Sequence, residues 1–366
     1  MSYGPSRFIG LSRITDDTKS DPGLCLFSLA IKLSTGHIYN LLLLGSLMPK
    51  VVFFTQLEPE LHLLLTQHAP DGYNVEVGAT DTLVSEKSVL LNDADALILF
   101  PSRIEDEVIR SAKQLKHIQL VSAGFEHMNL DLCRELGLTV SNNGGANSID
   151  VAEQTIALIL GVYRRLIDLD ADVRGDRWYQ METGKCTYTI WNKTIGLIGL
   201  GNIGRRVARL LKPFDCELIY SDASPAPSEV EKELDISRCE LPELLERADI
   251  VSLHVPLNDA TRHMIGAGQL ARMKSSAIII NTCRGGVIDE VALTKVLSSR
   301  KIAFAGLDVL EQEPPDPRNP LLKLDNLLLT PHAAGITRDT WGRRGRFVFE
   351  NIARSLAGKT PKALVR

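Results

Sequence analysis

The chain has 366 residues, enough for two domains at roughly 100–200 residues each. It is 44% hydrophobic and 23% charged, a globular composition that excludes disorder or a collagen-like state as the main form. The 41 Lys and Arg against 45 Asp and Glu leave a net charge of −4. That excludes a polyanion-binding field over the whole protein, though not a local basic patch.

The cysteines (Cys25, Cys133, Cys186, Cys216, Cys239 and Cys283) include no CxxC pair. Neither zinc spacing nor a disulfide framework is present, so reduced thiols in a cytoplasmic setting and no metal are expected. In residues 1–48, apolar runs at 24–31 and 38–48 are separated by Lys32 and His37. Neither run reaches the roughly 18 residues of a spanning helix. Asp16, Asp17 and Asp21 argue against a mitochondrial leader. This segment reads as a poorly ordered extension, with a signal anchor as the other reading.

From residue 50 onward, short apolar runs alternate with helical patterns. Strands are expected at 51–55, 74–77, 96–100, 117–122 and 138–141, and helices at 58–68, 105–113 and 130–136. Continuous rather than alternating apolar strands imply a parallel sheet covered on both faces. Asn142-Asn143-Gly144-Gly145 ends the series as a turn. A long amphipathic helix is expected over 148–165, with Asp150 and Glu153 near its start and Arg164 and Arg165 at its end, complementing the helix dipole. A second α/β series follows. Its strands are expected at 194–198, 217–220, 250–254, 277–281, 302–305 and 326–330, and its helices at 202–211, 241–248 and 290–299. A closing helix is expected at 347–356.

The segment from Lys193 to Gly204 is a strand running into GxGxxG and a helix. Gly199 permits the tight turn, Gly201 lets the backbone approach a pyrophosphate, and Gly204 permits close helix packing. The amides of Asn202 and Ile203 open the helix. Asp222 ends the next strand, where a carboxylate accepts ribose hydroxyls and repels a 2′-phosphate. No arginine occurs from 210 to 237, which favours NAD over NADP. A glycine turn without ligand, or a loop for another adenosyl compound, are the alternative readings.

Three further segments carry chemistry: Asn281-Thr-Cys-Arg284-Gly-Gly, Leu307-Asp308 through Glu313-Pro-Pro, and Thr330-Pro-His332-Ala-Ala-Gly335. With the glycine loop before them, and with VSAGFEHMNL at 121–130 and NSIDVAEQTIALIL at 147–160, the chain resembles the D-isomer-specific 2-hydroxyacid dehydrogenase family over roughly residues 50–360.

The resemblance implies a doubly wound α/β protein in which a Rossmann NAD-binding domain (148–330) is inserted in a flavodoxin-like substrate domain (49–147 and 331–366). It implies Arg284 as the group that binds the substrate carboxylate and polarises the ketone. His332 would be the acid-base, with Glu313 holding its tautomer and favouring the imidazolium. More softly, it places Asp308 on the nicotinamide carboxamide and Thr282 and Cys283 along the nicotinamide. Val255 and Gly335 would touch the cofactor, and Ser102 would approach it from the first domain. The backbone of Ser122, Ala123 and Gly124 would meet the substrate carboxylate. Hinges are implied near 144–148 and 330–335. A homodimer is implied through the 148–165 helix, with Val151, Thr155, Leu158 and Val162 as a candidate interface stripe and ordinary core as the alternative.

The activity implied is an NAD-dependent interconversion of a small 2-keto acid and a D-2-hydroxy acid, with no nucleic-acid or membrane partner. An NAD(H)-binding sensor or corepressor of the same fold is the alternative. No regulatory domain of the kind found in many phosphoglycerate dehydrogenases is expected after residue 366. Glu311 reads as a solvated loop carboxylate, and Arg343, Arg344 and Arg346 as a solvated helix face. His62, His68, His117, His127 and His263 read as surface or helix-packing residues. A nucleophilic Cys283 is disfavoured, because hydride transfer needs no covalent step.

Overall fold

The structure is a computed structural model that describes residues 48–365. The expectation for residues 1–48 falls, Met48 apart, outside the described residues. The apolar runs form two sheets. The first holds β1 (Lys50–Thr55), β2 (Asn74–Ala79), β3 (Ala96–Phe100), β4 (His117–Leu120) and β5 (Thr139–Ser141), in the order β2-β1-β3-β4-β5. The second holds β6 (Thr194–Ile198), β7 (Glu217–Ser221), β8 (Ile236–Arg238), β9 (Ile250–Leu253), β10 (Ile278–Asn281), β11 (Phe304–Leu307) and β12 (Leu327–Leu329). Its order is β12-β11-β10-β9-β6-β7-β8. Every pairing is parallel. The first order is the flavodoxin-like one and the second is the Rossmann order with an added edge strand, so both expected sheets are present.

The strands are apolar on both faces because both faces are covered. On β1, Val51 and Phe53 pack with Trp341, Val348 and Phe349 on one side. Val52 and Phe54 pack with Val108, Ile109 and Ile118 on the other. On β10, Ile278 and Ile280 join one core cluster and Ile279 joins the opposite one. This two-residue alternation between two buried faces is what a parallel sheet between helix layers requires. The closing helix runs over Arg338–Leu356, longer than expected, and returns the chain to the first sheet by packing on the Pro59–Thr66 helix and β4. Among the described residues, no helix is long and apolar enough to cross a membrane.

The long helix ends at Tyr163, because Arg165 takes a left-handed backbone (φ +48°) and a new helix starts at Leu166. The expected interface stripe is core. Val151, Thr155, Leu158 and Val162 are all buried within the chain, and the helix packs on the Asn202–Leu211 helix and β11. The exposed apolar residues lie just beyond it: Leu166, Ile167, Val173, Trp178, Met181 and Trp191, with Met181 82% and Trp178 75% exposed.

The arginine cluster also differs from expectation. Arg344 is buried. Its guanidinium lies 5.2 Å from the Trp341 ring centroid and 5.8 Å from that of Phe100, and its Nη2 donates to the Gly335 carbonyl at 2.6 Å. Burial, against the attraction of Asp150, pulls its pKa down to about 10. Arg343 Nη2 and the Thr337 hydroxyl both donate to Asp150 Oδ1, each at 2.5 Å. This buried carboxylate therefore ties the start of the long helix to the start of the closing helix.

His117 is not a surface residue either. It is fully buried on β4, with Nδ1 2.8 Å from Thr139 Oγ1 and Nε2 3.3 Å from Gln119 Oε1. Burial outweighs these hydrogen bonds and pulls its pKa down to about 4. Burial alone takes His254, which follows β9, down to about 3. Both rings are neutral in the fold and take up a proton on unfolding below about pH 6.5. Their contribution to stability is complete above that pH and is lost as pH falls toward the folded values, by up to about 1.4 kcal/mol per pH unit for each. The melting temperature is expected to fall between about pH 6.5 and pH 4, and more gently in His117→Asn. Identical slopes for wild type and variant in thermal melts would refute this assignment.

Candidate active site

The glycine loop is built by close contacts. Gly199 has φ +96°, and a Cβ there would lie 2.6 Å from the His254 carbonyl oxygen. A Cβ on Gly204 would lie 2.2 Å from the Gly199 carbonyl oxygen. Only glycine lets the strand turn and the Asn202–Leu211 helix approach this closely. A Cβ on Gly201 would meet nothing within 4 Å. Open space is thus left beside the helix N-terminus, where Asn202, Ile203 and Gly204 supply first-turn amides. Beside it, Asp222 Oδ2 accepts the Leu200 N–H at 2.8 Å and Oδ1 the Ser224 N–H at 3.3 Å. The open turn and the adjacent carboxylate fit the pyrophosphate and ribose of a dinucleotide. An arginine does stand beside this carboxylate residue despite the arginine-free stretch 210–237: Arg238 on β8 donates to the Asp222 carbonyl at 3.2 Å.

Three loops at the carboxyl ends of β10, β11 and β12 carry Arg284, Glu313 and His332, where open α/β sheets bind ligands. His332 Nδ1 lies 2.6 Å from Glu313 Oε2, and Glu313 Oε1 accepts the Leu310 N–H at 2.9 Å. Burial works against ionisation of Glu313. The His332 and Leu310 hydrogen bonds and the charges of His332 and Arg284 outweigh it and hold the carboxyl below its usual range. The structure thus pairs His332 with Glu313, on loops that neighbour the one carrying Arg284.

His332 takes a left-handed backbone, φ +54°. Asp308 holds it there. The Asp308 carbonyl accepts the His332 N–H at 2.7 Å. Its buried carboxylate accepts the amides of Ala333 (3.0 Å) and Ala334 (2.9 Å) and the Thr330 hydroxyl (2.5 Å). Asp308 thus shapes the loop that carries His332, a task its expected contact with the carboxamide does not include.

The residues expected on the cofactor side make contacts of their own. Thr282 Oγ1 pairs with Thr155 Oγ1 at 2.9 Å. Val255 abuts Gly199, and Gly335 abuts Asn147. Cys283 is buried, its Sγ 3.1 Å from Asn281 Oδ1, and burial raises its pKa to about 11. It is a thiol at neutral pH and unsuited to act as a nucleophile.

The loop after β4 faces this group. The Ser122 hydroxyl donates to the Gly124 carbonyl at 2.9 Å and makes a short hydrogen bond with the Ser102 hydroxyl. The amides of Ser122, Ala123 and Gly124 have no acceptor among the described residues. A Cβ on Gly124 would lie 2.2 Å from Arg284 Nη2.

Sequence reasoning missed several groups here. Asn142 Nδ2 donates to the Ala123 carbonyl at 2.9 Å and braces the loop. Asn143 bonds Asn147 at 2.9 Å in the crossover. Glu126 pairs with Arg284. The Asn-Asn-Gly-Gly turn was a visible signal for the first two. Glu311 is not simply solvated, since it lies 2.6 Å from His263 Nε2.

Residues 156–334 match the family model described as D-isomer specific 2-hydroxyacid dehydrogenase, NAD binding domain. Glyoxylate reductase of Aeropyrum pernix is 37% identical over 329 residues, covering 87% of this chain and 96% of that protein. Hydroxypyruvate reductase of Thermotoga maritima is 34% identical over 295 residues, covering 80% and 94%. Among solved structures, the NAD-complexed D-isomer specific 2-hydroxyacid dehydrogenase of Lactobacillus delbrueckii ssp. bulgaricus is similar with a TM-score of 0.73. It is 28% identical, over 86% of this chain and 100% of that one.

Proposed function

The chain belongs to the D-isomer-specific 2-hydroxyacid dehydrogenase family, and from that premise we propose that it reduces a small 2-keto monoacid, of the size of glyoxylate or hydroxypyruvate, with NADH. The product is the 2-hydroxy acid, in the D configuration where it is chiral. The observation that carries this reading is the His332–Glu313 pair at 2.6 Å, on loops beside the one that carries Arg284. The names of the relatives support the substrate size. Asp222, turned toward the glycine loop, supports NAD over NADP.

A bound nicotinamide supplies the hydride. The protein supplies the rest. Arg284 binds the carboxylate and stabilises charge developing on the ketone oxygen. His332 Nε2 delivers the proton while Glu313 holds Nδ1. The free amides of 122–124 orient the carboxylate from the opposite sheet, and approach of the two sheets excludes water.

We assign 49–147 with 331–366 to substrate binding and 148–330 to the cofactor. The exposed apolar residues between Leu166 and Trp191 exceed what scattered surface residues explain, and they fit a second copy of the chain in a homodimer.

The test is a panel of glyoxylate, hydroxypyruvate, pyruvate and bulkier 2-keto acids followed by NADH absorbance. The small acids are expected to turn over, with kcat/KM at least about tenfold lower for NADPH, because Asp222 repels a 2′-phosphate. Tight NADH binding without turnover of any acid would overturn the reading in favour of a sensor.

A further inference from the structure

Glu126 has no part in the reading above. It lies on the loop after β4, in the first sheet, whereas Arg284 follows β10 in the second. Glu126 Oε1 accepts the Arg284 Nε–H at 3.1 Å, and the Cys283 carbonyl accepts from Nη1 at 2.7 Å. Two edges of the guanidinium are therefore fixed. Nη2 has no acceptor among the described residues. It sits over Gly124, where an added Cβ would lie 2.2 Å from it and 2.5 Å from Glu126 Oε2. The side chains of Arg284 and Glu126 are 28% and 36% exposed. The pair thus joins the two sheets at a solvent-accessible place and is not core.

We propose that Glu126 is a positioning residue for Arg284: reaching across from the opposite sheet, it turns the guanidinium so that Nη2 faces the keto acid. This rests on the functional reading above. Arginine has a long, freely rotating stem, and a displacement of about 1 Å at a reacting group costs on the order of 10²-fold in rate. Glu126 occupies Nε and leaves Nη2 free, so it aligns the fork without taking the substrate's place. Because the two residues come from different sheets, the alignment exists only while the sheets are together. Substrate closure and Arg284 orientation become one event.

The carboxylate has two separable effects. Its oxygen orients Arg284, which acts on kcat. Its charge repels the substrate anion, which acts on KM. The test uses the full chain with NADH and glyoxylate. Glu126→Ala is expected to lower kcat about 10- to 100-fold, with KM for glyoxylate unchanged or reduced. Glu126→Gln keeps an acceptor oxygen without the charge. It is expected to hold kcat within about threefold while lowering KM. NADH affinity, by fluorescence titration, and the melting temperature should stay at wild-type values in both.

A Glu126→Ala kcat within about twofold of wild type would overturn the proposal. So would a loss matched by weaker NADH binding or a lower melting temperature, since that marks a structural role. Glu126→Gln no better than Glu126→Ala would overturn it too, because alignment would then not be the cause. If the wild type itself reduces no 2-keto acid, the functional reading fails instead, and the two failures are distinguishable.

Discussion

Arg284→Lys is expected to lower kcat/KM for the keto acid by about 10³-fold, with NADH affinity within about twofold of wild type. Lysine keeps the charge but not the fork. The Arg284 guanidinium serves three directions at once: Nε to Glu126, Nη1 to the Cys283 carbonyl, and Nη2 to the space over Gly124. An ammonium is a compact point charge on a flexible stem and cannot meet a carboxylate and a developing oxyanion in one plane. The loss should fall on both kcat and KM, because carboxylate binding and charge stabilisation share the group. Steady-state kinetics with glyoxylate and hydroxypyruvate measure it. A variant that kept a tenth or more of wild-type kcat/KM would mean that charge alone suffices and would refute the role given to the fork.

The second large effect is expected at the acid-base pair. His332→Gln should lower kcat by at least about 10²-fold, the scale of a lost general acid. Glu313→Gln should change the pH profile as well as the rate. In the wild type the Glu313 carboxyl is held below its usual range. It stays ionised, and keeps its hold on His332, to lower pH than an ordinary glutamate, and its protonation sets an acid limb. With glutamine at 313 there is no carboxyl to protonate, so that acid limb should disappear. A Glu313→Gln profile that kept the wild-type acid limb would show that the carboxyl does not set it. The same carboxyl contributes stability that is present above the unfolded glutamate pKa and lost as pH falls through its lower folded value.

Much of the architecture was legible because parallel strands buried on both faces leave unbroken apolar runs. The strands at 96–100 and 194–198 and the helix at 202–211 were read with their observed bounds. What was missed is short or weakly patterned. The Val84–Leu91 helix buries only Leu91 and Lys87, and β8 exposes two of its three positions. The break at Arg165 depends on a left-handed backbone that its side chain does not announce.

Amphipathicity shows that a face is covered but not by what. Hence Val151 and its neighbours were open to two readings until the second sheet was seen to lie on them. Arg344 was misread for a related reason. Its burial depends on Phe100 and Trp341, and Phe100 is remote in sequence. At the site, Arg284, Glu313 and His332 carry motif signals, whereas the Glu126 contact joins loops that only the fold brings together.

The Asp150 carboxylate receives Arg343 and Thr337 while sheltered from solvent. The two chain segments that cross between the sheets are thereby riveted at one spot. A separation of the lobes that kept these bonds would swing about that spot, as the legs of a compass do. Atoms near the rivet barely travel, whereas those at the far rim sweep the widest arc.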